Sequence, residues 1–161
     1  KIHGGYILSL MDQIAFACAS KHSQAYCVTA GVENVDFLNP IDVGELVTLK
    51  ASVNYVGNTS MVIGIRVEAE NIQKGLCKHC NSSYFTMVAK NENDRNAPVP
   101  GLKLQSVEEI RRFVTAILRK KEKQSRHPAF NENKFDPNDY LFLLNDSVLL
   151  DLPENTILLK E

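Results

Sequence analysis

Gly5-Tyr6-Ile7-Leu8-Ser9-Leu10-Met11-Asp12-Gln13-Ile14-Ala15-Phe16-Ala17-Cys18-Ala19-Ser20-Lys21-His22 reads as a helix whose start is punctuated by Gly4-Gly5. Its apolar residues, from Ile7 and Leu8 through Ala19, cover nearly the whole circumference. A helix apolar on every side belongs inside a core. Only Ser9, Asp12, Gln13 and Ser20 interrupt it. Such a helix needs a sheet curved around it and something further on its remaining flank.

Beyond Ser23 the period changes from helical to alternating. Val28, Ala30 and Val32 alternate with Thr29, Gly31 and Glu33, running on to Phe37. Asn39-Pro40 and Gly44 then mark a turn. From Leu46 to Val56, the residues Val47, Leu49, Ala51, Val53 and Tyr55 share one face, and Thr48, Lys50, Ser52 and Asn54 the other. Gly57-Asn58-Thr59 is a tight turn into a third run, Met61 to Ala69. A Gln73-Lys74-Gly75 turn leads to a fourth, roughly Lys78 to Lys90. Short turns favour antiparallel neighbours. One buried helix followed by four such strands describes an α+β roll, with part of the helix left for a partner chain.

A polar loop then closes on Pro98-Val99-Pro100. Ser106 opens a second helix with Glu109 three residues on, a capping box. Val107, Ile110, Val114 and Ile117 repeat at helical spacing, and the basic run Arg119 to Lys123 suits a solvated C-terminal end. Residues 124–161 mix Asn, Asp and Pro with short apolar runs at 141–144 and 148–150 and carry no assigned role. Residues 1–102 are expected to form the main domain and 103–161 a C-terminal helix and extension. The chain opens at Lys1 without an initiator methionine, so a first strand is expected to lie ahead of it.

The 161 residues suit one domain with a sizeable core. A formal net charge of −1 gives no overall pull toward nucleic acid or an anionic membrane, so neither is expected as a partner. Polar residues interrupt every apolar run well short of a membrane span. The cysteines at 18, 27, 77 and 80 do not form a disulfide framework of a secreted domain, which favours a cytoplasmic location. Cys77-Lys78-His79-Cys80 is a single C-x-x-C without a second pair, and His3, His22 and His127 are not spaced to complete it, so no metal is expected.

Several stretches together resemble the acyl-CoA hydrolase branch of the hotdog-fold thioesterases. They are His3-Gly4-Gly5 through Met11-Asp12, Val28-Thr29-Ala30, Val35-Asp36-Phe37, Pro40-Ile41-Asp42-Val43-Gly44-Glu45, Tyr55-Val56-Gly57-Asn58-Thr59-Ser60-Met61, Phe85-Thr86-Met87-Val88-Ala89 and Pro98-Val99-Pro100. Their order and spacing match over roughly the first 100 residues. The resemblance implies an antiparallel sheet wrapped around a central helix, paired with a second copy as a dimer or a trimer of dimers. It implies hydrolysis of acyl-CoA to a free acid and coenzyme A. No cofactor is called for, because coenzyme A is part of substrate and product.

Hydrolysing a thioester requires an activated nucleophile and a stabilised oxyanion. A carboxylate can act as general base, or attack directly through a short-lived anhydride. Asp12 is the candidate, mid-helix in apolar surroundings where desolvation works against its charged form. Its structural alternative is a carboxylate hydrogen-bonded to Ser9 or to another strand's backbone. The oxyanion donor is expected at the helix start, where unpaired N–H groups gather and Gly5, preceded by Gly4, permits close approach. Gly5 and Asp12 stand seven residues apart, about 10 Å along one helix. One carbonyl carbon is not easily served by both, so the site is expected to be shared, with Gly5 of one protomer facing Asp12 of the other.

His3 is a candidate for orienting water or gating the entrance. The resemblance implies an accessory Asn or Asp two residues earlier, and this chain departs from that pattern with Lys1. The resemblance implies coenzyme A contact at Gly57-Asn58-Thr59-Ser60, against the plain alternative of a hairpin turn. Thr29 is a candidate for the acyl channel, or simply a strand residue. A hydratase on the same fold would want a His-Asp pattern that is not found. A module that binds acyl-CoA without turnover is the alternative from a different class.

Overall fold

The computed structural model describes residues 1–125 and residue 136. Nearly all of them belong to one compact unit, Lys1–Lys121; a second unit, Glu122–Glu161, contributes only the last turn of a helix and Asp136 to the described residues. The apolar runs at 141–144 and 148–150 lie outside the described residues.

The elements are α1 (Gly4–Ser23), β1 (Tyr26–Val32), β2 (Asp36–Phe37), β3 (Leu46–Val56), β4 (Ser60–Asn71), β5 (Leu76–Lys90) and α2 (Val107–Ser125). The strands form one antiparallel sheet in the order β1-β5-β4-β3, with β2 also on β5. α1 packs against β1, β3, β4 and β5 on the inner face. α2 reaches the outer face through Phe113 on Tyr55 (ring centroids 5.3 Å apart) and Arg119 over the Tyr84 ring. The result is an α+β fold with a helix on each side of an antiparallel sheet, consistent with the hotdog architecture.

Three sequence expectations shift in detail. The run expected to reach Phe37 divides into β1 and β2, which pair with different parts of β5: Val32 opposite Phe85, Asp36 opposite Ser82. In β3 a bulge between Val53 and Tyr55 resets the alternation, so Val56 rather than Tyr55 continues the inner face. Tyr55 is thereby turned to α2. The helix α1 is not buried all round on this chain. Ile7, Met11, Ala15, Ala19 and Ser23 form a buried stripe at four-residue spacing, while Tyr6 and Phe16 are exposed.

Each helix end has a local cause. Gln24 adopts a left-handed conformation (φ 53°) and its N–H closes on Ser20 O at 2.8 Å, ending α1. His22 Nε2 lies 3.0 Å from Pro100 O, and Val99 N–H donates to Asn58 O at 2.9 Å, so the Pro98-Val99-Pro100 loop ties α1 to the β3–β4 turn. At the start of α2, Ser106 Oγ accepts from Glu109 N–H, and the Glu109 carboxylate reaches back to Gln105 N–H. Val107, Ile110 and Val114 of its apolar repeat are exposed; Phe113 and the buried Ala116 form the packed side. Among the described residues no helix is long and apolar enough to cross a membrane.

Candidate active site

Residues from α1, β1 and β5 line a groove of about 680 Å³. Asp12 and Phe16 come from the helix one turn apart, Tyr26 and Thr29 from the edge strand β1, and Met87 from β5 beneath. The strand pairing explains the assembly, since Thr29 is the register partner of Met87. Thr29 Oγ1 donates to Asp12 Oδ1 at 2.5 Å and lies 3.5 Å from Met87 Sδ. At the far end Phe16 and Tyr26 meet edge to face, their centroids 5.5 Å apart.

Asp12 is exposed on this chain, which corrects the expectation of a carboxylate in apolar surroundings. The physical reason is the stripe geometry: Asp12 follows Met11, whose side faces the sheet, and so projects from the uncovered flank. Neither structural partner expected for it is the one observed. Ser9 Oγ accepts from Gln13 Nε2 at 3.3 Å, and Asp12 is held by a side chain, not by a strand backbone.

The helix start places His3, Gly4 and Gly5 together. His3 is the N-cap residue, and its Nδ1 accepts the Gly5 N–H at 3.1 Å. His3 O accepts from Tyr6 N–H at 3.0 Å. A Cβ on Gly4 would meet the tip of the exposed Phe37 ring at 2.9 Å, so a larger residue there would displace that ring. For Gly5 N–H to serve an oxyanion, the His3 ring has to give way. Gly5 and Asp12 occupy the two ends of about two helical turns, as their spacing requires.

Gly57, Asn58, Thr59 and Ser60 form the β3–β4 turn, with Gly57 N–H on Ser60 O at 2.7 Å and Ala89 N–H on Thr59 O at 3.0 Å. Ser60 pairs with Val88, which pairs with Val28 beside Thr29. The turn therefore lies at the Tyr26 end of the sheet and is not brought into contact with Asp12. Sequence reasoning missed Met87, Tyr26 and Phe16 as groove residues. Only strand register reveals the first, and the apolar character of the others reads as core. Cys77 is exposed and Cys80 buried; burial pushes the Cys80 thiol upward from its ordinary range.

Comparison with known proteins places the fold and the sequence in a family. The Thioesterase superfamily model matches residues 1–76. Protein VdlD of Helicobacter pylori is 44% identical over 119 residues, which cover 74% of this chain and 68% of that protein. The crystal structure of an apo-hexameric acyl-CoA thioesterase superposes with a TM-score of 0.77 at 36% identity, covering 80% of this chain and 83% of its own. An acyl-CoA hydrolase from Staphylococcus aureus, in complex with butyryl coenzyme A and coenzyme A, superposes at 0.72 with 30% identity, covering 78% and 76%. With the fold and the sequence relationship in agreement, this chain belongs to the thioesterase superfamily, as a hotdog-fold member closely related to acyl-CoA hydrolases.

Proposed function

We propose that the protein hydrolyses acyl-CoA thioesters to a free carboxylic acid and coenzyme A, with Asp12 as the catalytic carboxylate. The observation that carries this reading is the Thr29–Asp12 hydrogen bond at the mouth of the groove. With Oδ1 held by Thr29, Oδ2 takes a proton from water as it attacks the thioester carbonyl. In the alternative course the carboxylate attacks directly, forming an anhydride that water then opens. The tetrahedral oxyanion is stabilised by Gly5 N–H at the positive end of a helix. Collapse expels coenzyme A thiolate, which needs no strong acid because it is a stable leaving group.

Gly5 acts from the partner subunit. The exposed flank of α1 carries Tyr6 and Phe16, and the edge strand β1 adds Tyr26 and Val32, also exposed. Apolar surface beside an unpaired strand edge supports closure by a second copy. The apo-hexameric acyl-CoA thioesterase supports assembly beyond the dimer, for which three such dimers are the simplest arrangement. His3 gates the Gly5 N–H, Gly4 permits the close approach, and the turn from Gly57 to Ser60 takes the coenzyme. The Staphylococcus aureus complexes support coenzyme A as the ligand class. A cytoplasmic location fits the four unpaired cysteines.

Release of free thiol from short, medium and long acyl-CoAs tests the reaction, and mixed dimers test the shared site. A protomer carrying Asp12→Ala paired with one carrying Gly5→Pro retains one intact site. Purified heterodimers of the two inactive parents are expected to reach about half the wild-type rate, and a randomly assorted equimolar mixture about a quarter. Inactive mixtures beside an active wild type would show that each chain builds its own site. No turnover on any acyl-CoA, with coenzyme A still bound, would return the protein to the binding-module reading.

A further inference from the structure

On the opposite side of the sheet from Asp12, β3, β4, β5 and α2 enclose a second cleft of about 440 Å³. Gly64 stands between Ser52 on β3 and Tyr84 on β5, and the place a side chain would take there is occupied by the buried Asn54 amide, which with Ser52 forms part of the cleft floor. The next row across the sheet holds Lys50 directly opposite Arg66. Like charges in directly opposed positions disfavour strand pairing. One carboxylate, Glu68, bridges both, at 2.6 Å from Lys50 and 2.7 Å from Arg66.

The helix adds more positive charge from above. Arg111 and Arg112 share Glu108, and Arg112 also reaches Ser52 Oγ at 3.5 Å. Arg119 lies flat on the Tyr84 ring, 3.2 Å from its centroid. Five cations thus converge on one cleft against two carboxylates, in a chain whose formal net charge is −1. A guanidinium has five donors in a planar fork, so pairing with one carboxylate leaves geometric capacity for a second anion.

The geometry points to a binding site for a phosphate-bearing anion in this cleft, of the size and charge of a diphosphate, separate from the catalytic groove. Side chains alternate between the faces of a strand. Arg66 and Gly64 therefore face away from α1, while their neighbours Ile63 and Ile65 are buried in the core beneath it. A ligand here does not touch Asp12. The same chemistry comes from a free di- or triphosphate or from the phosphates of a coenzyme A molecule bound from outside.

Titration calorimetry of the full chain with inorganic pyrophosphate tests the site. Saturable binding that weakens steeply with salt is expected. Arg66→Gln with Arg119→Gln should weaken it at least tenfold, Arg66→Lys less, and Asp12→Ala not at all. Unchanged thermal unfolding of each variant shows that the fold is intact, and Arg111→Gln provides an independent second variant from the helix side. Coenzyme A that displaces pyrophosphate from wild type and Asp12→Ala alike identifies the coenzyme as the source; failure to displace it identifies a free phosphate. Absence of saturable pyrophosphate binding, or binding that survives both sets of arginine changes, overturns the proposal.

Discussion

Thr29 Oγ1 donates a 2.5 Å hydrogen bond to Asp12 Oδ1, joining the edge strand β1 to the exposed flank of α1. The two residues are 17 apart in sequence and belong to elements of different period. Their meeting fixes the orientation of a carboxylate that would otherwise swing freely in solvent. An intramolecular hydrogen bond contributes about 0.5–1.5 kcal/mol net. Thr29→Val, which keeps the β-branched shape, should therefore lower kcat about 2- to 10-fold. Thr29→Ser should stay within a few-fold of wild type. Equal loss in both variants would show that shape, not the hydroxyl, matters.

Asp12→Asn removes the base and leaves a side chain of the same size. Because Asp12 is exposed, no cavity or buried charge arises and unfolding should be unchanged. Loss of a positioned general base costs about 100- to 10,000-fold in rate. Steady-state thiol release alongside coenzyme A binding checks this. A well-folded Asp12→Asn enzyme of wild-type rate would remove Asp12 from the mechanism.

His3 caps α1 through Nδ1 on the Gly5 N–H. Replacing a capping side chain with alanine costs about 0.5–2 kcal/mol, and His3→Asn should recover most of it. If the ring also gates Gly5, His3→Ala raises turnover per folded molecule while lowering stability. Denaturant unfolding and kcat measured on the same preparations separate the two effects.

Gly64→Ala should destabilise the sheet by about 1–3 kcal/mol through overpacking. A Cβ there would lie 2.2 Å from Asn54 Nδ2, and Asn54 is buried with Ser52 Oγ on its carbonyl oxygen. Asn54 is short and cannot swing away as a long side chain would. Urea midpoints of Gly64→Ala, with and without Asn54→Ala, measure the clash; the double variant should be less affected than the sum of the singles.

Glu68 is held down from 4.5 to about 2 by the hydrogen bonds from Lys50 and Arg66. Glu108 is held to about 2 chiefly by Arg111. A carboxylate whose folded pKa is depressed contributes stability that is fully present above its unfolded value, and loses it as pH falls through the folded value. Stability should thus decline between about pH 5 and pH 2, and Glu68→Gln with Glu108→Gln should flatten that decline. Glu108 is exposed and Glu68 half-buried, so added salt should shrink the Glu108 contribution more than that of Glu68.

The sequence by itself determined the order of the two helices and the four long strands, because periodicity is a local property. The α1 run, the bounds of β3 and the Ser106-Glu109 cap all follow from neighbours in the chain. It also singled out Asp12 and Gly5, because a polar residue and a glycine pair stand out against an apolar helix. Tertiary structure alone decided which flank of α1 is covered, since burial depends on the sheet that arrives and not on the helix. It decided that a bulge would turn Tyr55 outward to meet Phe113. Strand register, with a period of two, set Thr29 against Met87 within reach of Asp12, and Lys50 against Arg66 beneath α2. Those pairings join residues far apart in the chain, and local patterning does not encode them.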